Sequence, residues 1–137
     1  MADLSITASG FIPGANAKLK QGIAGETVTQ GQTLYLKSSD NRLYKADANL
    51  SAEASLIVGL AANGASAGQP LDYVYDDDDL TVGGTMTMAN LYVASTTAGG
   101  LAPFADFANG SYLTVVLVPK STTKAVLKLT AAGAVAA

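Results

Sequence analysis

Short apolar runs separated by turn residues recur along this chain, in a pattern that is typical of β-strands. Residues 27–29 alternate polar and apolar side chains, and Gln30-Gly31 follows as a turn signal. Residues 34–36 then form a strand-prone run, and Asp40-Asn41 is a second turn signal before the next apolar pair, Leu43-Tyr44. The pattern predicts a β-hairpin in this part of the chain.

The same order of elements returns near the middle of the chain. Three pairs of segments correspond at an offset of about 57 residues: 34–36 with 91–93, Leu43 with Leu101, and 56–60 with 113–117. A constant offset indicates an internal duplication of a supersecondary unit, although short strands can also resemble one another by chance. The repeat predicts a single β domain, residues 25–130, made of two similar units, residues 25–79 and 80–130.

Four more runs predict strands. Residues 56–60 are interrupted by Gly59, which marks either a bulge or a close approach of two backbones. Residues 71–75 alternate in the strand manner, and residues 112–118 are the strongest strand pattern of the chain, ended by a proline. Residues 125–129 predict the last strand.

Residues 1–24 and 131–137 differ from the rest because neither segment shows a regular apolar period. The first contains Pro13-Gly14, which blocks a regular element, so it either packs along the domain or reaches a neighbour as an extended arm. The apolar residues available for such a contact are Ile6, Phe11, Ile12, Leu19 and Ile23. The last seven residues lack a packing pattern and are expected to form a flexible tail.

Four adjacent carboxylates, residues 76–79, separate the two predicted units. A calcium loop of the EF-hand type spaces its acids at alternate positions and adds a glycine and a terminal glutamate, which this run lacks. Adjacent residues of a strand also point to opposite faces, which would divide the ligands. A solvated turn is therefore the favoured interpretation, and no metal site is expected.

The composition removes most kinds of catalytic site. The chain has no cysteine and no histidine, which excludes thiolate chemistry, Ser-His-Asp triads and the commonest metal ligand. No phosphate-binding glycine motif is present, so no cofactor is expected. Glycoside hydrolysis needs only two acids, but none of the candidates stands in a signature: Glu26, Asp47, Glu53, Asp72 and Asp106. We therefore expect no enzyme and no catalytic residue.

The charge and hydropathy of the chain indicate which classes of partner, nucleic acid or membrane, are to be expected. Charged residues are 14% of the chain and the net charge is −3, so a nucleic acid partner is not expected. No apolar run approaches the roughly 18–20 residues that span a bilayer. The first residues have no basic region followed by an apolar stretch, so a signal peptide is not expected either. These features favour synthesis in the cytoplasm and no membrane partner.

Several segments together resemble a known family. Their order and spacing across about residues 5–129 are similar to those of the capsid decoration proteins, also called cement or head-stabilising proteins, of tailed bacteriophages. The segments that carry the resemblance are 24–32, 34–35, 44–47, 58–61, 67–70, 91–101 and 112–116.

The resemblance implies an all-β fold, a small β-barrel-like or β-tulip-like domain with an N-terminal arm. It implies a structural virion protein on the outer capsid surface, made in the bacterial host, with the major capsid protein of the same phage as partner. Such proteins often form homotrimers and sometimes dimers, and their N-terminal segment lies along the shell. Ile6, Phe11, Ile12, Leu19 and Ile23 are the expected contact residues on this view.

Two other functions are compatible with the pattern. A head-fibre base or tail module would share the β repeats, although no heptad or fibrous repeat is present. A carbohydrate-binding module would dock sugars on exposed aromatic side chains. The chain has no tryptophan, and the candidates for that role are Tyr35, Tyr44, Tyr73, Tyr75, Tyr92 and Tyr112.

Overall fold

The protein is an all-β domain whose antiparallel sheet curls into a half-barrel, as the apolar pattern predicts. The computed structural model describes residues 4, 6–7, 10–47, 54, 56–86, 91–95, 98–103 and 112–135. The strands in these residues are β1 (Lys18–Ile23), β2 (Thr33–Lys37), β3 (Arg42–Lys45), β4 (Gly59–Ala61), β5 (Pro70–Thr81), β6 (Tyr92–Ala94), β7 (Leu101–Pro103), β8 (Tyr112–Pro119) and β9 (Lys124–Val135).

The two halves of the sheet have the same connectivity, so the order of strands repeats as the sequence pattern predicts. In the first half the hairpin β2-β3 pairs with β4, and β4 pairs with β5; in the second half β6-β7, β8 and β9 repeat this arrangement. The halves are joined where β5 and β9 run antiparallel to each other. The strand order is therefore β3-β2-β4-β5-β9-β8-β6-β7, with β1 also on β5.

The predicted turns and the predicted close approach are present. Gly31 has a φ of 91° and Asn41 has a φ of 57°, so both turn signals lie at backbone positions with left-handed geometry. A Cβ atom on Gly59 would lie only 2.6 Å from the Tyr73 ring and from the Val74 carbonyl oxygen. Glycine is needed there because the Tyr73 ring and the β5 backbone come too close to Gly59 to leave room for a side chain.

The apolar side chains form two clusters. The larger contains residues from both halves, among them Leu60, Leu80, Leu117 and Leu127, which are at most 1% exposed. The smaller lies inside the first half, and its fully buried members are Ala24, Val28, Leu34, Leu43, Ala61 and Leu71, with Ala65 beside them. Strand β5 contributes side chains to both clusters, since Leu71 belongs to the smaller cluster and Val74 to the larger one.

The described residues of the N-terminal segment, 4, 6–7 and 10–25, pack along the domain and contact both halves. The Leu4 N–H donates to the Leu101 carbonyl at 2.7 Å, near one end of the sheet, and the Gly25 N–H donates to the Leu43 carbonyl at 2.8 Å, near the other. Between these points Ile12 exchanges both backbone hydrogen bonds with Thr81. Strand β1 then continues along the same edge of β5. Of the two alternatives for this segment, packing along its own domain is the one that the described residues show.

Residues 131–135 depart from the flexible tail that was predicted for residues 131–137, whereas the last two residues lie outside the described part. Strand β9 continues to Val135, and its pairing with β8 extends to the partners Tyr112 and Val135. The reason lies in β8, whose backbone donors and acceptors need partners along its whole length, whatever the side chains opposite them. The sequence pattern missed this extension because residues 131–135 are mostly alanine and glycine, which carry no apolar alternation.

Candidate functional site

The acidic run belongs to β5 and is not the solvated turn that was predicted. Asp77 is fully buried, and its Oδ2 accepts a hydrogen bond from the Gly14 N–H at 2.7 Å. Its Oδ1 accepts another from the Asp79 N–H at 3.0 Å, where an extra residue of β5 forms a β-bulge opposite β9. Asp77 therefore ties the N-terminal segment to the centre of the sheet, and the predicted unit boundary at residue 79 falls inside a strand.

Two other carboxylates of the run, those of Asp78 and Asp79, have separate partners. Asp79 accepts hydrogen bonds from the ammonium groups of Lys120 at 3.2 Å and Lys124 at 3.4 Å, and these two lysines hold the pKa of Asp79 below its ordinary value. Asp78 is exposed and lies 3.5 Å from the amide nitrogen of Asn16. In the described part of the chain, no three acidic side chains converge as metal ligands.

We expect the change Asp77→Ala to lower the free energy of unfolding by about 1–3 kcal/mol, because it leaves the partly buried N–H groups of Gly14 and Asp79 without their acceptor. The matched control is Asp78→Ala, which removes the same charge at the neighbouring exposed position and should change stability by less than about 0.5 kcal/mol. Urea unfolding followed by tyrosine fluorescence measures both. Equal losses in the two variants would contradict the role given to Asp77.

The described acids that were considered for hydrolysis, Glu26, Asp47 and Asp72, lie in separate parts of the fold. The carboxylate of Glu26 accepts a hydrogen bond from the Lys45 N–H at 2.9 Å, which caps the outer edge of β3. Asp72 lies on β5, where its N–H donates to the side chain of Asn63. Asp47 follows β3, whereas Glu53 and Asp106 lie outside the described residues. The described residues also include no helix that is both long and apolar enough to cross a membrane.

The five candidate contact residues divide into two groups. Phe11 is only 1% exposed and belongs to the larger apolar cluster, so it is a core residue and not the contact residue that was expected. Ile6 is partly buried against the same cluster and lines a cavity of about 250 Å³ beside Gly31. Ile12, Leu19 and Ile23 are 56%, 48% and 39% exposed and remain available to a partner.

On the outer edge of β1, backbone N–H and C=O groups have no partner in another described strand. Ala24 makes its backbone hydrogen bonds towards residues 68–69, on the β5 side, whereas the Gly25 N–H donates to Leu43 on the opposite side. Because these directions alternate along a strand, the N–H and C=O groups of Leu19 and Gln21 point away from β5. Among the described strands β1 pairs with β5 alone, so the edge over residues 18–22 is open. We call this edge, with Ile12, Leu19 and Ile23, the β1 surface.

Among the described tyrosines, Tyr73 and Tyr75 line a surface groove. Tyr35 and Tyr44 pack against each other with their ring centroids 6.1 Å apart, and the Tyr44 hydroxyl donates to Asp40 at 2.6 Å. Tyr92 is 3% exposed. Tyr73 and Tyr75 line a groove of about 500 Å³ together with side chains from β1, β2 and β9. The side chain of Tyr112 lies outside the described part.

The described residues thus form an open strand edge, a tyrosine-lined groove and an acidic run in which Asp77 and Asp79 bind other residues of the same chain. Comparison of the chain with models of known protein families and with curated protein sequences finds no match. What the protein does is therefore inferred from the arrangement of its own residues, above all from the β1 surface and the groove.

Proposed function

We propose that this chain is a non-catalytic structural protein that binds the outer surface of a tailed-phage capsid and stabilises the assembled shell. The observation that supports the proposal best is the β1 surface. It combines an open strand edge with three exposed apolar side chains on a segment that is otherwise well anchored to the domain. A rigid edge of this kind suits binding by strand addition, which requires no catalytic chemistry.

Binding at the β1 surface would use two kinds of contact. Backbone groups of Leu19 and Gln21 would pair with a strand of the major capsid protein, and the side chains of Leu19 and Ile23 would pack against it. These two side chains share a face of β1, because they are four residues apart in a strand. A protein that binds only the assembled shell stabilises it by mass action, and many copies on one lattice add their effects.

The resemblance to decoration proteins also supports a homotrimer, with a dimer as the alternative. Three linked copies would raise the effective concentration of each β1 surface at the shell, so that weak single contacts give firm attachment. Sedimentation equilibrium of the full chain gives the mass directly. A trimer supports this form of the proposal, whereas a strictly monomeric chain on and off the shell would overturn it.

We expect the change Leu19→Glu to weaken shell binding at least about tenfold, because burying a leucine side chain contributes about 1.5–3 kcal/mol and a buried carboxylate would oppose binding further. The control is Leu56→Glu, since Leu56 is 49% exposed but lies outside the β1 surface. Co-sedimentation with shells assembled from the major capsid protein of the same phage measures binding.

A second variant, Gln21→Pro, tests strand addition itself. Proline removes only an N–H that points away from β5, and edge strands tolerate it at such a position. Loss of shell binding with an unchanged thermal midpoint supports pairing through the backbone. If the wild-type chain does not co-sediment, or if Leu19→Glu and Leu56→Glu bind equally well, the proposed docking through the β1 surface is wrong.

A further inference from the structure

The groove lined by Tyr73 and Tyr75 lies where the apolar interior of the first half reaches the surface. Tyr73 and Val58 contact the smaller apolar cluster and also line the groove, so its floor continues that cluster. Leu36, which is 47% exposed, and Leu129 form apolar walls. The mouths of curled sheets are common ligand sites, because the apolar floor excludes water while polar groups gather at the rim.

Several polar side chains that line the groove have no hydrogen-bond partner among the described residues. Tyr73, Tyr75, Asp76 and Lys128 all line the groove, and their polar groups make no side-chain hydrogen bond or ion pair within the described part of the chain. Burial, and after it the neighbouring Tyr75, raises the pKa of Tyr73, so this hydroxyl stays protonated and able to donate. An apolar floor with several uncommitted polar groups is the composition of a binding site.

The charge of the groove is opposite in sign to that of the whole chain. The chain has a net charge of −3, yet two lysines and a single aspartate line the groove. The Lys20 ammonium lies 5.0 Å from the centroid of the Tyr75 ring, where the ring holds it beside the floor. Lys128 stands opposite Asp76 across the pair β5-β9. A ligand that carries negative charge is therefore favoured at this place over a neutral or basic one.

We propose that the groove binds a saccharide that carries an acidic group, of the uronic acid type. The apolar face of the sugar ring packs on the tyrosine rings, and its carboxylate meets the ammonium groups of Lys20 and Lys128. Ring hydroxyls are hydrogen-bonded by Asp76 and by the tyrosine hydroxyls. This site is independent of shell binding, because Lys20 and Leu19 are neighbours in a strand and so point to opposite faces of β1.

The test is a titration of the full-length protein, followed by NMR chemical shifts, with trigalacturonate and with the neutral maltotriose. We expect saturable binding of trigalacturonate, with maltotriose several-fold weaker. Lys128→Gln should weaken trigalacturonate binding by up to about fivefold, the range of an exposed ion pair, and leave maltotriose unaffected. Tyr75→Ala should weaken both sugars by up to about tenfold, because both lose the aromatic contact.

The matched control is Lys37→Gln. Lys37 also lies over a tyrosine ring, 4.9 Å from the centroid of Tyr44, but it is not part of the groove, so its removal should leave sugar binding unchanged. Circular dichroism establishes that each variant is folded. The proposal is overturned if neither sugar binds, if both bind equally, or if a tetraglutamate peptide binds more tightly than trigalacturonate, which would identify an acidic peptide as the occupant. Shell binding by Lys128→Gln should equal that of the wild type.

Discussion

Replacing Phe11 with alanine is expected to lower the free energy of unfolding by about 3–5 kcal/mol, the range found when a buried aromatic side chain is truncated in a core. Phe11 is 1% exposed and packs in the larger apolar cluster, so its removal leaves a cavity where the N-terminal segment crosses the sheet. Small domains are stabilised by only about 5–15 kcal/mol, so this is a large share of the total. Urea unfolding at equilibrium measures the loss.

The adjacent residue supplies the control. Ile12 is 56% exposed, although its backbone pairs with Thr81, so Ile12→Ala should change stability by less than about 0.5 kcal/mol. A large difference between neighbouring positions shows that the segment is part of the core. If Phe11→Ala were as mild as Ile12→Ala, the segment would be an arm that is dispensable for folding.

The second large effect is expected for Gly83→Ala, which should lower the free energy of unfolding by about 2–5 kcal/mol. Left-handed backbone strain and crowding by neighbouring atoms both contribute. Gly83 has a φ of 84°. An added Cβ would lie 2.7 Å from the Thr7 carbonyl oxygen, 2.8 Å from the carbonyl carbon of Gly10 and 3.0 Å from the Phe11 nitrogen. All three are backbone atoms, so no side-chain rotation relieves the clash and the N-terminal segment must move away.

Gly68 separates the two contributions. Its φ of 87° is almost the same, but no atom lies within 4 Å of the position of an added Cβ. Gly68→Ala should therefore cost only the left-handed strain, about 1–2 kcal/mol. Thermal unfolding of the two variants gives the crowding contribution as their difference. Equal midpoints would mean that the N-terminal segment does not press on Gly83 in solution.

Anchoring and docking are distinguishable with these variants. Phe11 and Gly83 hold the N-terminal segment on the domain, whereas Leu19 faces the proposed partner. We therefore expect Leu19→Glu to weaken shell binding without loss of stability, and Phe11→Ala to destabilise the chain first. A docking edge that is held rigid before binding loses less conformational freedom on contact, which favours affinity.

Features of this protein that depend on residues close together in the chain were predictable from the sequence, whereas features that depend on distant residues were not. The turns at Gly31 and Asn41 and the strand that ends at Pro119 were predictable, because they depend on local backbone preferences. The duplicated order of strands was predictable too, since a repeated pattern repeats its local structure. Of the predicted contact residues, Ile12, Leu19 and Ile23 are exposed, but the sequence pattern did not distinguish them from the buried Phe11.

The burial of Asp77 and the formation of the groove depend on pairing between distant parts of the chain. Asp77 is buried because Gly14, 63 positions away in the chain, donates to it, and no local pattern in a run of four aspartates marks one of them as internal. The groove likewise needs β1, β2, β5 and β9 side by side, so its tyrosines and lysines are unrelated in the linear pattern. The amino-acid sequence by itself therefore determined most of the central strands, the turns at Gly31 and Asn41 and the repeated strand order, but not β1 or the extensions of β5 and β9. Only the tertiary structure decided which acid is buried, which edge stays open and where the tyrosine-lined groove forms, because these depend on contacts between residues far apart in the chain.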